Sequence, residues 1–265
     1  MIVGAKKISG CCGGIVRLLL FAGLAGWFLL NPGIQGTGRS ALAAGEMSQD
    51  QLDQRIHDYI LAHPEVLVQA LQSLDQRQRE AQLAEARKVL KARADDIFHD
   101  KQNPVGGNAQ GNVTLVEFFD YNCPYCRVMA PIMEQAAADD PQLRIVYKEF
   151  PILGPDSVFA AKAALAAQNQ SKYTAFHKAL YGAKTRVTEA VVLKTAAEAG
   201  LDVERMKTDM QQPDIQTMID RNAELAQALG ITGTPGFIAG DQIFPGATDL
   251  ATLKKLIEQA RGEQE

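Results

Sequence analysis

"FFDYNCPYCRVM", residues 118–129, sets two cysteines two residues apart directly after an apolar, aromatic run. Such a pair can be a metal clip, a structural staple or a redox centre that exchanges with other thiols. Its surroundings bear on the choice. "VTLVEFFDYN" at 113–122 is β-branched and aromatic and reads as a buried strand, Pro124 to Ala138 reads as a helix, and "LRIVYKEF" at 143–150 as a second strand. Strand, helix and strand within about forty residues suggest a parallel unit with the pair at its turn.

Cysteines occur at 11, 12, 123 and 126 only, too few for a disulfide-rich scaffold. A zinc site normally takes four ligands, and Cys123 and Cys126 have neither a second cysteine pair nor spaced histidines to join them; His57, His63, His99 and His177 are scattered. Two thiolates alone would suit Cu(I), a soft ion, so copper binding by Cys123 and Cys126 stays open as an alternative. A staple spanning two residues removes little unfolded-state entropy. The redox role has the firmer logic. Cys123 would stand at a helix N-terminus, where unpaired N–H groups and the helix dipole favour its thiolate and make it the attacking sulfur. Cys126, one turn in and more buried, would attack the mixed disulfide and release the substrate. This chemistry needs no cofactor.

Glu117 interrupts an otherwise apolar strand, and a buried acid there would have a raised pKa suited to exchanging a proton with Cys126 through a water. The plainer alternative is a strand-edge carboxylate facing water. "GITGTPGFI" at 230–238 puts a proline at a strand entry, so Thr234-Pro235 is a candidate cis peptide beside the cysteines, a trans proline being the commoner case. The Thr234 backbone would then be free to pair with an extended substrate chain.

The first 44 residues read as a secretory signal: Lys6, Lys7 and Arg17, an apolar run of 13 residues from Leu18 to Leu30, then breakers leading to Ala41-Leu42-Ala43-Ala44. The run is short of the roughly 20 residues of a membrane span, so export is favoured over an uncleaved anchor. Cys11 and Cys12 would leave with the signal. Cleavage removes Lys6, Lys7, Arg17 and Arg39 and no acid, taking the formal net charge from −4 to −8, which argues against a nucleic-acid partner. An exported chain whose only cysteines are Cys123 and Cys126 would work where thiols tend to be oxidised.

Ser48 with Gln51 is a candidate capping box, and Leu52, Ile56, Tyr59 and Ile60 follow at helical spacing. His63-Pro64-Glu65 interrupts, and Val66, Leu67, Ala70, Leu71 and Leu74 give a second helix an apolar face. The face fades over 75–82 and resumes at Leu83, Leu90 and Ile97. Either these helices pack on the main domain or, as favoured, residues 45–99 form an oligomerisation segment. A Gly, Asn and Pro-rich linker with the character of a hinge is expected at 100–112, and the main domain at 113–265. Within that domain successive helices follow the second strand, then a hairpin at 236–246 and a helix from Asp249 to Arg261. The order is that of a helical domain, about 154–229, inserted into an α/β domain.

"EFFDYNCPYC", the helical insertion and the late "GTPGFI" together resemble the DsbA-like branch of the thioredoxin superfamily over roughly residues 105–265. The resemblance implies an α/β thioredoxin fold with an inserted helical domain and thiol-disulfide oxidoreductase activity, with Cys123, Cys126 and Glu117 doing the chemistry. Pro124, Tyr125, Thr234 and Pro235 would meet the substrate, with Pro235 as the cis-proline. With the N-terminal helices, the mature chain most resembles the suppressor-of-copper-sensitivity C proteins. That likeness implies a periplasmic homotrimer, disulfide isomerase or reductase activity on proteins with cysteines, and reduction by a membrane partner of the DsbD type. The Pro-Tyr dipeptide lacks the histidine of the DsbA oxidase, and Thr234 resembles the threonine of isomerases. Both lean towards an isomerase and away from a dithiol oxidase.

Overall fold

The computed structural model describes residues 47–262. The expected signal, with Cys11 and Cys12, lies outside them. The chain divides into two compact units, the first ending at Tyr59 and the second starting at Ile60. Helix α1 (Gln49–Ala62) opens on a reciprocal cap: the Ser48 N–H donates to Gln51 Oε1 at 3.2 Å, and the Gln51 N–H donates to Ser48 Oγ at 3.3 Å. It buries no residue. Leu52, Ile56 and Tyr59 are exposed at helical spacing.

In the second unit, α2 (Glu65–Ala92) runs unbroken for 28 residues, and only Ala86 and Leu90 of it are buried. Good helix formers carry it through 75–82, where the apolar face disappears. A single π-helical turn, Asp95–His99, ends this segment and buries Ile97 completely.

A five-stranded sheet organises the rest, in the order β1-β3-β2-β4-β5. The strands are β1 (Val105–Gly107), β2 (Val113–Phe119), β3 (Leu143–Glu149), β4 (Gly236–Ala239) and β5 (Gln242–Pro245). β2 and β3 are parallel, joined by α3 (Pro124–Asp139); the other pairs are antiparallel. Between β3 and β4 run α4 (Pro155–Ala167), α5 (Tyr173–Tyr181), α6 (Glu189–Glu198), α7 (Val203–Asp209) and α8 (Pro213–Ala228). Helix α9 (Leu250–Gly262) closes the chain. Among the described residues no helix is long and apolar enough to cross a membrane.

Alternation along the central strands builds two cores. Val113, Leu115 and Phe119 of β2 join Leu143, Ile145 and Tyr147 of β3, and on that face pack Met129 and Met133 of α3, Leu253 and Ile257 of α9, and much of the insertion. Val116 and Phe118 point the other way, into a core with Leu90, Ile97, Leu225 of α8 and Leu229, which caps that helix. On that second face Arg144 Nη1 donates to the Phe98 carbonyl at 2.6 Å, and Lys148 Nζ to the Asp96 carbonyl at 2.7 Å. These bonds satisfy carbonyls at the helix end, and burial pushes the Lys148 amine down to about 8.

The stretch 100–112, expected as a hinge-like linker, is stitched to β3 instead. Its Val105–Gly107 forms β1, the Tyr147 N–H donates to the Pro104 carbonyl at 3.0 Å, and the Asn108 N–H donates to the Leu143 carbonyl at 2.8 Å. The turn-forming residues serve close approach: a Cβ at Gly106 would lie 2.8 Å from the Tyr147 ring, and Gly107 has φ 63. The expected boundary is therefore an edge of the sheet.

Candidate functional site

β2 ends at Phe119 and four residues lead to α3. Cys123 is the N-cap of that helix, extended at φ −75 and ψ 120, with Pro124 at the first helical position. Cys126 lies one turn in. Both are free thiols and buried, Cys123 at 4% exposure and Cys126 at 0%. The Cys123 thiol donates to the Thr234 carbonyl at 3.2 Å across the loop that enters β4. The Thr234–Pro235 peptide is cis. Among the described residues the Thr234 N–H has no hydrogen-bond partner. Pro124 and Tyr125 are exposed, Tyr125 at 64%. Cys123, Cys126, Pro124, Tyr125, Thr234 and Pro235 thus meet at the carboxyl end of β2.

Glu117 sits behind them on the same strand. β2 is an interior strand, so a carboxylate facing water at a sheet edge is not what forms: Glu117 is 3% exposed. Burial pushes its carboxyl up to about 8. The Cys126 thiol is pushed up as well, first by burial and then by the Glu117 charge, which ties the two groups electrostatically. A cavity of about 230 Å³ adjoins Glu117, lined also by Tyr147, His177 and Tyr181 and, toward the surface, by Glu134 and Lys178. Its polar groups suit water.

Two polar networks here were not anticipated. In the first, the buried Asp120 carboxylate takes four donors: the Asn122 N–H and Ser157 hydroxyl on Oδ1, both at 2.7 Å, and the Ile152 and Leu153 N–H groups on Oδ2 at 2.8 and 2.9 Å. The second is buried on the face of β3 that carries Tyr147. There the Tyr121 and Tyr173 hydroxyls donate to Glu149 Oε1 at 3.0 and 2.9 Å, and Tyr121 Oη lies 3.0 Å from His177 Nδ1. Burial raises Glu149 well above the carboxylate range and pushes His177 down to about 3. The available signal was charge inside a strand: Asp120 follows two phenylalanines, and Lys148-Glu149 ends an apolar run.

For copper, the donors on offer are the two thiols: among the described residues no group of three or more His, Cys, Asp or Glu side chains could hold a metal ion.

Residues 114–258 match the DSBA-like thioredoxin domain, and residues 49–81 match the N-terminal domain of the copper resistance protein ScsC. The probable disulfide bond formation protein D of Bacillus anthracis is 26% identical over 183 residues, covering 64% of this chain and 83% of that protein. A thioredoxin-like oxidoreductase from Silicibacter pomeroyi is 46% identical with a TM-score of 0.63, over 63% of this chain and 97% of that one. The catalytic domain of Proteus mirabilis ScsC is 28% identical with a TM-score of 0.61, over 66% of this chain and 98% of that domain.

Proposed function

The chain belongs to the DSBA-like thioredoxin domain family of thiol-disulfide oxidoreductases, and from that premise we propose that it is an oligomeric protein disulfide isomerase or reductase working in the periplasm. The observation that carries the choice is the exposed apolar face of the N-terminal helices. α1 buries nothing, and Leu67 and Leu71 of α2 are 49% and 66% exposed. A second copy of the chain is the natural cover for such faces, and an assembly would keep an oxidising partner from the cysteines while presenting several of them to one misfolded substrate. The match of residues 49–81 to the ScsC N-terminal domain supports this, and a trimer is the assembly proposed. In domain terms, residues 1–44 are the export signal; the oligomerisation segment proposed at 45–99 associates through its exposed part before residue 84, while Leu90, Ile97 and strand β1 pack with the oxidoreductase at 113–265.

The Cys123 thiolate attacks a substrate disulfide, forming a mixed disulfide and releasing one substrate thiolate. In isomerisation that thiolate, or another substrate thiol, attacks elsewhere and Cys123 leaves reduced, with no net electron transfer. In reduction Cys126 gives its proton to Glu117, attacks the Cys123 sulfur and releases the second substrate thiol. The protein is left with a Cys123–Cys126 disulfide, and a membrane dithiol of the DsbD type returns the two electrons. The Thr234 backbone pairs with the substrate main chain beside the sulfur.

The test is reactivation of a scrambled multi-disulfide protein by residues 45–265, side by side with a chain starting at residue 84. That cut keeps Ala86, Leu90 and Ile97, which belong to the core of the oxidoreductase domain. Activity in the long form alone supports an oligomeric isomerase. Equal activity in both removes the purpose given to the arm, and failure of both moves the assignment to a dithiol oxidase, the role that the name of the Bacillus relative favours. Copper tolerance, with Cu(I) on Cys123 and Cys126, is the reading left if neither exchange activity is found.

A further inference from the structure

The rings of Tyr121, Tyr147, Tyr173 and Tyr181 surround His177 with centroids 4.5–5.6 Å from its own. Three of them donate their hydroxyls within the fold: Tyr121 and Tyr173 to Glu149, and Tyr181 to the Asp120 carbonyl at 3.4 Å. Tyr147 is different. Among the described residues its hydroxyl has no hydrogen-bond partner, although the residue is only 8% exposed and lines the cavity beside Glu117.

The sheet fixes where that hydroxyl stands. Glu117 and Tyr147 are paired on the parallel strands β2 and β3, and alternation turns both to the cavity. β1 makes room for the phenol: a Cβ at Gly106 would lie 2.8 Å from Tyr147 Oη, so a side chain there would displace it. The cavity is also lined by Glu134 of α3 and Lys178 of α5, an exposed ion pair at its mouth. Burial and the charges of Glu117 and Glu134 all push the Tyr147 phenol up, so it keeps its proton beside both carboxylates. The other groups facing Glu117 are engaged elsewhere: Glu149 with Tyr121 and Tyr173, His177 with Tyr121, and Tyr181 with Asp120. Cys126 is the donor that Glu117 serves, and its β4 neighbour, Phe237, carries no charge.

Resting on the reduction step above, we propose that Tyr147 is a positioning residue for the Cys126 attack: its hydroxyl relays the Glu117 proton to solvent at the mouth framed by Glu134 and Lys178. The proton leaves Glu117 for Tyr147 Oη by way of cavity water, while the phenol releases its own proton to Glu134, which hands it to bulk water. Carboxylate and phenol are both restored, and Glu117 can take the Cys126 proton. With its carboxyl near 8, Glu117 starts mostly protonated at about pH 7, so this exit must operate before Cys126 attacks in each turnover.

The experiment is a single turnover of the full mature chain, reduced, with glutathione disulfide. Cys123 releases the first glutathione, Cys126 releases the second, and the protein ends as the Cys123–Cys126 disulfide. At about pH 7, Tyr147→Phe should slow the second release about tenfold and raise its solvent deuterium isotope effect, leaving the first release unaltered. At about pH 9, where Glu117 starts ionised, the deficit should shrink to about twofold, a change that a packing defect would not produce. Gly106→Ala, which displaces the hydroxyl, and Glu134→Gln at the surface should each slow the second release about threefold at about pH 7. An unaltered second release in Tyr147→Phe, or a deficit equal at both pH values, overturns the proposal. Should that variant fail to fold, an unaltered rate and isotope effect in Glu134→Gln does so. No release of either glutathione by the wild-type chain overturns the underlying function as well.

Discussion

Helices α2 and α3 belong to one unit and carry similar amphipathic patterns, yet they end in opposite environments. In 28 residues α2 buries two; in 16 residues α3 buries four, among them Cys126. The apolar face of α3 lies against β3 and α9, whereas Leu67, Val68, Leu71 and Leu74 of α2 face solvent. Periodicity specifies that a face wants covering. What covers it depends on whether the chain supplies a partner within its own fold.

Breaking the chemistry while leaving the arm alone gives the largest effect. Cys123→Ala should lower disulfide exchange by at least about a thousandfold, read by glutathione disulfide consumption, with sedimentation unaltered. Next, Ile97→Ala should cost about 2–4 kcal/mol in denaturant unfolding, because Ile97 fills the core on the second face of the sheet, whereas Leu83→Ala should stay within about 0.5 kcal/mol. Glu117 sharpens the contrast through pH. Its folded carboxyl, near 8, lies above the unfolded value of 4.5, so the folded form holds the proton longer and wild-type stability falls as pH rises from 4.5 through 8. Glu117→Gln should remove that fall, worth on the order of 4 kcal/mol between pH 5 and 8.5, and flatten the rise in the Cys126 step through pH 8. Smallest is the arm itself: Leu67→Glu with Leu71→Glu should dissociate the proposed assembly by sedimentation and cut the proposed isomerisation at least about tenfold, with little change in unfolding free energy per chain.

The CxxC turn, the parallel β2–α3–β3 unit and the hairpin were legible because local composition decides them: a β-branched run, a proline at the first helical position, glycine at the turn. Helix α7 was not, being seven residues long with one buried side chain, Met206. Strand β1 was hidden because its glycines, which signal a loop, are demanded by the Tyr147 ring and a positive φ. The bracket around Asp120 joins residues 120, 122, 152, 153, 157 and 187, and such convergence is set by tertiary packing rather than by any window of sequence. Glu117 was legible as an anomaly in its strand; Glu149 and Lys148 were the same kind of anomaly and went unread.

The two basic side chains of β3 that hold the carbonyls of Asp96 and Phe98 have a mechanical consequence. Fastened there and plugged by Leu90 and Ile97, α2 is a beam of roughly 42 Å clamped at one end. A torque applied near Glu65 is delivered to β3, the strand whose next residues, Phe150 to Leu153, lead to the two amides that donate to the Asp120 carboxylate. Compliance along this path is low until the chain reaches the helix break at His63 and Pro64. Whatever grips the first turns of α2 therefore holds the free end of a lever whose fixed end is β3.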